Sequence, residues 1–221
     1  MAQNVVTITG VVSVMHATKG PSDSRDAAVW VTPVASSGER GRSGDMVAHP
    51  RMRILQRNKQ FEPHLLVVPV GTTVDFPNAD PFFHNVFSMF DGKRFDLGLY
   101  EEGTTRSVDF SHPGVCFLFC NIHPEMSGVV VVVDSPYYAV TNRAGAFTIA
   151  NVPPGRYTLS VWHERGKPER PDEFPRDLTV SQATASLGTI RLVESGQVFP
   201  PHKNKYGRDY GPPPPAHPLY K

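Results

Sequence analysis

Val115-Cys116-Phe117-Leu118-Phe119-Cys120-Asn121-Ile122-His123-Pro124-Glu125-Met126 is the stretch on which the reading of this chain turns. An apolar run of strand length ends in a cysteine. A two-residue step leads to a histidine, and another to a methionine. One turn at a strand end therefore offers a thiolate, an imidazole and a thioether. Soft sulfur donors with imidazole suit copper, and two histidines with a cysteine and a weak axial methionine form the blue-copper electron-transfer set. The loop holds one histidine. His84, opening the segment His84-Asn85-Val86-Phe87 upstream, can supply the second.

Singly, each of these residues has a plainer reading. A lone histidine is more often structural, a lone cysteine a small buried hydrophobe and a lone methionine core filling. Their order decides between the readings: a histidine opens one strand, and Cys-x-x-His-x-x-Met ends another in a chain of short strands. Cys116 shares a face with Cys120 but lies ~13 Å along the strand at about 3.3 Å per residue, too far for a disulfide. It is expected to be a buried free thiol. His49, His64 and His112 each adjoin a proline in turn-like sequence. His16 and His163 read as solvated strand ends.

The remaining sequence bounds the fold class. With 221 residues the chain can form one large β domain or two smaller ones. Its 22 prolines and 18 glycines break nearly every apolar run within about ten residues, so strands joined by tight turns are expected, not amphipathic helices. A formal charge of +1 gives no global footprint for nucleic acid or a membrane surface. Charge is unevenly spread, however. Residues 49–134 carry seven Lys or Arg against ten Asp or Glu, and residues 195–221 carry four against one. The longest wholly apolar run, Val115 to Cys120, is strand-sized, so no membrane span is expected. Met1-Ala2-Gln3-Asn4 lacks the basic and apolar regions of a secretory leader, which leaves the compartment open.

Strand candidates follow in order. Residues 5–14 and 27–34 are β-branched and apolar, and a Ser-, Gly- and Arg-rich linker spans 35–48. Eight short strands follow, at 52–56, 65–68, 73–76, 85–88, 94–99, 106–109, 115–120 and 128–133, separated by Pro, Gly and Asn turns. This texture suggests a Greek-key barrel or sandwich. Residues 115–120 and 128–133 are apolar on both faces, so burial of both faces is expected. Further strands are read at 138–149, 156–162, 178–180 and 187–193. The tail 195–221 is basic and Pro-rich, ending in an extended polyproline stretch that reads as a strap over a surface.

Thr141-x-x-x-Gly145-x-Phe147 and Asn151-Val152-Pro153-Pro154-Gly155-x-Tyr157 resemble features of the carboxypeptidase regulatory-like (transthyretin-like) β-sandwich. The strands that precede these features in that family resemble Ile8-Thr9-Gly10-Val11-Val12 and Asp26-Ala27-Ala28-Val29 at the N-terminus. The resemblance implies one discontinuous sandwich over residues 1–34 and 135–194. Residues 49–134 are then an inserted domain, entered and left through one loop.

That insert is similar to the cupredoxins. Phe61-x-Pro63, Gly71-x-x-Val74-x-Phe76-x-Asn78 and His84-Asn85-Val86 match their plastocyanin and amicyanin branch, and the short Cys120-x-x-His123-x-x-Met126 loop is similar to that of amicyanin. Glu125 departs from the usual uncharged residue. The resemblance implies an all-β chain, a Greek-key barrel beside an immunoglobulin- or transthyretin-like sandwich, with one type 1 copper ion. It implies His84, Cys120, His123 and Met126 as metal ligands. Asn85 would tie the two ligand loops together near the cysteine sulfur, with the Phe83 carbonyl as a remote axial contact. Electrons would pass at the edge of His123 through a patch including Phe82 and Pro124, where transient redox interfaces are small.

The function expected is a periplasmic or otherwise extracellular one-electron carrier, not an enzyme. Its partners would be redox proteins such as a c-type cytochrome, a dehydrogenase or an oxidase. Two further classes stay open: a copper-binding or copper-delivery protein using the same ligands, and an adhesion or carbohydrate-binding protein in which the copper domain is ancillary. Multicopper oxidase chemistry is disfavoured because no His-x-His pair occurs.

Overall fold

A computed structural model describes residues 4–16, 20–21, 23–34, 51–89, 93–170, 172–195 and 203–211. Apart from the single-turn 3-10 helix Gln182–Thr184, its regular elements are all β-strands. No helix among the described residues is long and apolar enough to cross a membrane. The chain forms two compact units, residues 1–47 with 133–200 and residues 48–132 with 201–221. The linker expected at 35–48 lies outside the described residues.

In the first unit, Val6–His16 runs between Ala146–Val152, its antiparallel neighbour, and Ser186–Glu194, its parallel one. The N-terminal strand is therefore completed by segments more than a hundred residues downstream. Val6, Ile8, Val12 and Val14 are buried, and Gly10 holds the inward position between them. A Cβ at Gly10 would lie 2.6 Å from the Phe147 ring, so the missing side chain makes room for the phenyl of the paired strand. The second sheet runs Tyr138–Val140, Ala28–Pro33, Gly155–Trp162, Arg176–Val180. Val29, Val31, Leu159 and Tyr157 join Ile8, Phe147, Ile149 and Leu192 in one core.

The turns account for the motifs that the sequence singled out. Gly145 has φ 74°, and a Cβ there would stand 2.0 Å from the Val12 carbonyl oxygen. The Asn142 side chain closes the same turn by accepting from the N–H groups of Ala144 and Ala146. Tyr157 donates its hydroxyl to the Pro153 carbonyl at 2.9 Å, which pins the Pro-Pro-Gly corner to the strand that follows. His163, read from sequence as a solvated strand end, is instead 7% exposed, with Nε2 3.2 Å from the Arg25 carbonyl oxygen. That tertiary partner offsets the loss of water around the ring.

The second unit has two main layers. One sheet runs Phe95–Tyr100, His84–Ser88, Gly114–Phe119, Ser127–Val133, Leu65–Pro69; the other runs Thr105–Phe110, Thr72–Pro77, Met52–Arg53, beside a hairpin of Leu55–Arg57 and Gln60–Glu62. Val74, Phe76, Phe110, Cys116, Leu118, Val130 and Val132 fill the core together with Cys120 and Met126. Alternation puts Phe119, Val129 and Val131 on the opposite face, and these are buried as well, with the Phe119 ring tilted against Phe87 at 5.9 Å. The both-faced burial expected of these strands is present in Ser127–Val133, whereas Val115 and Phe117 on the second face of Gly114–Phe119 are only half-buried. Cys116 and Cys120 are both free and buried.

Candidate metal centre

His84 is the first residue of the strand His84–Ser88, and Cys120 follows directly after Gly114–Phe119. These two strands are neighbours in one sheet, so their ends deliver the imidazole and the thiol to one place. The loop after Cys120 is folded back by two backbone hydrogen bonds. The Cys120 N–H donates to the Met126 carbonyl at 3.2 Å, and the Met126 N–H to the His123 carbonyl at 3.0 Å. This brings His123 over Cys120 and turns Met126, 1% exposed, into the same core cluster.

Three donor atoms converge. Nδ1 of His84 and Nδ1 of His123 are 3.2 Å apart, and Sγ of Cys120 lies 3.8 Å from the first and 3.6 Å from the second. His84 and Cys120 are wholly buried, and His123 is partly exposed. Among the described residues this is the one cluster of three His, Cys, Asp or Glu donors spaced to share an ion. Two imidazole nitrogens and one cysteine sulfur within 3.8 Å of one another are a donor set that would hold a metal of the kind that favours His₂Cys.

Electrostatics prepare the donors. The Asp80 carboxylate accepts from the N–H groups of Asn58 at 2.7 Å and Lys59 at 2.9 Å, and its Oδ2 lies 2.7 Å from Nε2 of His84. Asn58 and Lys59 form the tight turn of the hairpin, with φ 53° and 57°, which aims both amides at the carboxylate. Burial pushes the Asp80 carboxyl up, but those two amides and the His84 ring outweigh it and hold it below the usual carboxylate range. Asp80 is thus an acceptor. It accepts a hydrogen bond from Nε2–H of His84, which leaves Nδ1 as a bare lone pair facing the pocket. Burial keeps His84 below the ordinary imidazole range, against the pull of Asp80.

His123 is held down to about 4, first by burial and then by His84 and Lys59, so it too is a neutral donor near pH 7. Burial pushes the Cys120 thiol up, while the backbone N–H groups of Ile122, Asn85 and His123 directed at the sulfur pull the other way. A thiolate bound to a cation would keep those three donors.

The remaining residues named from sequence sit as follows. The Phe82 ring stands edge-on to both His84, at 5.2 Å, and His123, at 5.7 Å. Phe83 and Pro124 are exposed, as is Ile122. Asn85 turns its amide nitrogen to the neighbouring strand. Its Nδ2 donates to Asp96 at 2.7 Å and to the Gly98 carbonyl at 3.0 Å, and it is the Asn85 backbone N–H that meets the sulfur. The sequence reading missed Asp80, although Asn78-Ala79-Asp80-Pro81 is a turn motif four residues before His84. It also missed Tyr210 and Lys205, for which no local signal exists.

Two layers of strands, with a histidine opening one strand and Cys-x-x-His-x-x-Met closing its neighbour, define the architecture of this unit. The unit is cupredoxin-like.

Among solved structures, a purple cupredoxin from Nitrosopumilus maritimus is similar at 30% identity, covering 37% of this chain and 99% of its own, with a TM-score of 0.35. An amicyanin variant in the Cu(I) state is similar at 24% identity, covering 38% of this chain and 82% of its own, with a TM-score of 0.36. A copper-containing nitrite reductase from Thermus scotoductus SA-01 is similar at 26% identity over 47% of this chain and 26% of its own, with a TM-score of 0.37. The chain thus spans about a quarter of the reductase. Residues 129–183 match the family model for domain II of polysaccharide lyase family 4. No curated protein matches the chain.

Proposed function

We propose that His84, Cys120, His123 and Met126 hold one type 1 copper ion and that the protein carries single electrons between extracytoplasmic redox partners. The observation that carries this reading is the convergence of Nδ1 of His84, Nδ1 of His123 and Sγ of Cys120 at 3.2, 3.6 and 3.8 Å. Copper would supply a one-electron couple at this point.

The chain's own residues do the rest. Asp80 holds the His84 proton on Nε2 and fixes the ring, a role that raises ligand basicity. The amides of Ile122, Asn85 and His123 stabilise negative charge on the sulfur. Phe82 packs against both imidazoles, and the donors stand on the ends of adjacent strands, so the set is stiff. His123, partly exposed beside Pro124 and Phe82, is the edge at which a partner such as a c-type cytochrome would exchange electrons.

The test is spectroscopic. Adding Cu(II) to the protein gives an intense visible thiolate-to-copper band and a type 1 paramagnetic signal, both lost in Cys120→Ser. A colourless, redox-silent complex in the parent protein sinks the reading.

The match of residues 129–183 to domain II of a polysaccharide lyase family favours a second reading for the first unit, a carbohydrate-facing accessory role. Glycan binding that survives Cys120→Ser supports it, and an array of glycans showing no binding removes it.

A further inference from the structure

Residues 203–211 belong to the unit that carries the metal centre. This segment is tied at the ligand loop. The Tyr210 hydroxyl donates to the Cys120 carbonyl at 3.1 Å, and the Lys205 N–H donates to Oδ1 of Asn121 at 3.0 Å. The Lys205 ammonium lies 2.8 Å from Oδ2 of Asp96. The other oxygen of that carboxylate accepts from Nδ2 of Asn85 at 2.7 Å, the residue next to His84. One short segment therefore meets both sides of the donor set. It reaches Cys120 and Asn121 directly, and the His84–Asn85 strand end through Asp96.

The segment is also folded on itself. The Asn204 side-chain oxygen accepts from the N–H groups of Tyr206 and Arg208, its backbone N–H donates to the Arg208 carbonyl, and Gly207 takes φ 73° at the turn. It meets the loop as a preformed clamp, so little ordering entropy opposes its contacts.

We propose that residues 203–211 are a positioning strap for the metal centre, in which Tyr210 fixes the Cys120 peptide and Lys205 joins Asn121 to the Asp96–Asn85 pair. The inference rests on the reading of the loop as a metal site. Fixing the Cys120 carbonyl fixes the direction in which the chain leaves Cys120 toward His123, because carbonyl orientation and ψ of that residue are one variable. Within the loop the bonds from Cys120 to Met126 and from Met126 to His123 leave this peptide group unengaged, and the strap takes it up. Tyr210 and Lys205 are thus positioning residues that act through the backbone of a ligand.

The experiment compares Tyr210→Phe, Lys205→Met and Lys203→Met in the full chain. Lys203 is exposed in the same segment and serves as the control. Amide hydrogen exchange is read first on the metal-free protein. Loss of one net hydrogen bond in Tyr210→Phe speeds exchange at Ile122, His123 and Met126 by about fivefold, with about twofold in Lys205→Met and no change in Lys203→Met. In the copper-loaded protein, Tyr210→Phe also shifts the thiolate-to-copper band, while Lys203→Met does not.

Parent-level exchange at those three amides in both Tyr210→Phe and Lys205→Met overturns the strap. So does an unmoved band in a copper-loaded Tyr210→Phe protein. Failure of the parent chain to take up copper defeats the electron-carrier reading instead, and the exchange result then decides the strap by itself.

Discussion

The carboxylate of Asp80 lies 2.7 Å from Nε2 of His84, four residues further along, with both side chains buried. Two backbone amides clamp the other acceptor positions of the same carboxylate. An amide in place of the carboxylate cannot serve all three donors, because its NH₂ group would face an N–H or the donor nitrogen of His84. Asp80→Asn therefore either strands a buried donor or moves the His84 proton to Nδ1, the atom turned toward the pocket. Copper affinity is expected to fall about 10- to 100-fold, the usual scale for such supporting carboxylates. A competitive titration against a chelator measures it, and an unchanged affinity removes Asp80 from the centre.

The pH response follows from His123. Its pKa in the folded metal-free chain is about 4, below the ordinary value of 6.5, because burial and the neighbouring His84 and Lys59 disfavour the cation. The unfolded chain binds this proton first as pH falls, so the unfolded state gains on the folded one. Stability is full above the unfolded value and is lost progressively from about 6.5 down through about 4. Ring signals of His123 in the nuclear magnetic resonance spectrum of metal-free protein should titrate near 4. In His123→Asn the acid-side loss of stability should be shallower. A midpoint near 6.5 would mean that the ring is not enclosed as described.

Much of this was legible because the signals are local. Alternation of period two, broken by Gly and Pro, marked the strands, and Cys120, His123 and Met126 fall within seven residues of each other. His84 was legible because it opens a strand. What escaped depends on tertiary hydrogen bonds, which impose no periodicity. The His163 ring satisfied by the Arg25 carbonyl, the Asn85 amide turned to Asp96, and Tyr210 meeting Cys120 from 90 residues away all belong to this kind. Asp80 lies between the two kinds. Its turn was visible, but its use was not, since the amides that clamp it come from the Asn58-Lys59 turn.

Two glycines of the first unit separate backbone strain from crowding. Gly145 and Gly188 both have positive φ, 74° and 64°. A Cβ at Gly188 meets nothing within 4 Å, whereas one at Gly145 would stand 2.0 Å from the Val12 carbonyl oxygen. Gly188→Ala should cost about 1–2 kcal/mol, the conformational penalty alone. Gly145→Ala adds a backbone collision that no rotamer relieves, and about 3 kcal/mol or more is expected. Denaturant unfolding of the two variants checks the order, and equal midpoints would show that the turn at Gly145 can open at little cost.

The two cysteines test whether burial or arrangement makes the centre. Both are buried and four residues apart on one face. Burial raises the Cys116 thiol to about 11, and its sulfur is 3.6 Å from the Lys93 carbonyl oxygen, which accepts a thiol proton and repels a thiolate. Cys120 has three backbone N–H groups directed at its sulfur and two imidazole nitrogens within 3.8 Å. Burial pushes the Cys120 thiol up as well, but only the second setting offers donors that would hold a thiolate beside a bound cation. Cys116→Ala should cost about 1–2 kcal/mol of stability through a small cavity and leave the thiolate-to-copper band in place. Cys120→Ala should abolish the band whatever its effect on stability. Loss of the band in Cys116→Ala, with folding intact by circular dichroism, would move the sulfur ligand to the other cysteine and with it the position of the centre.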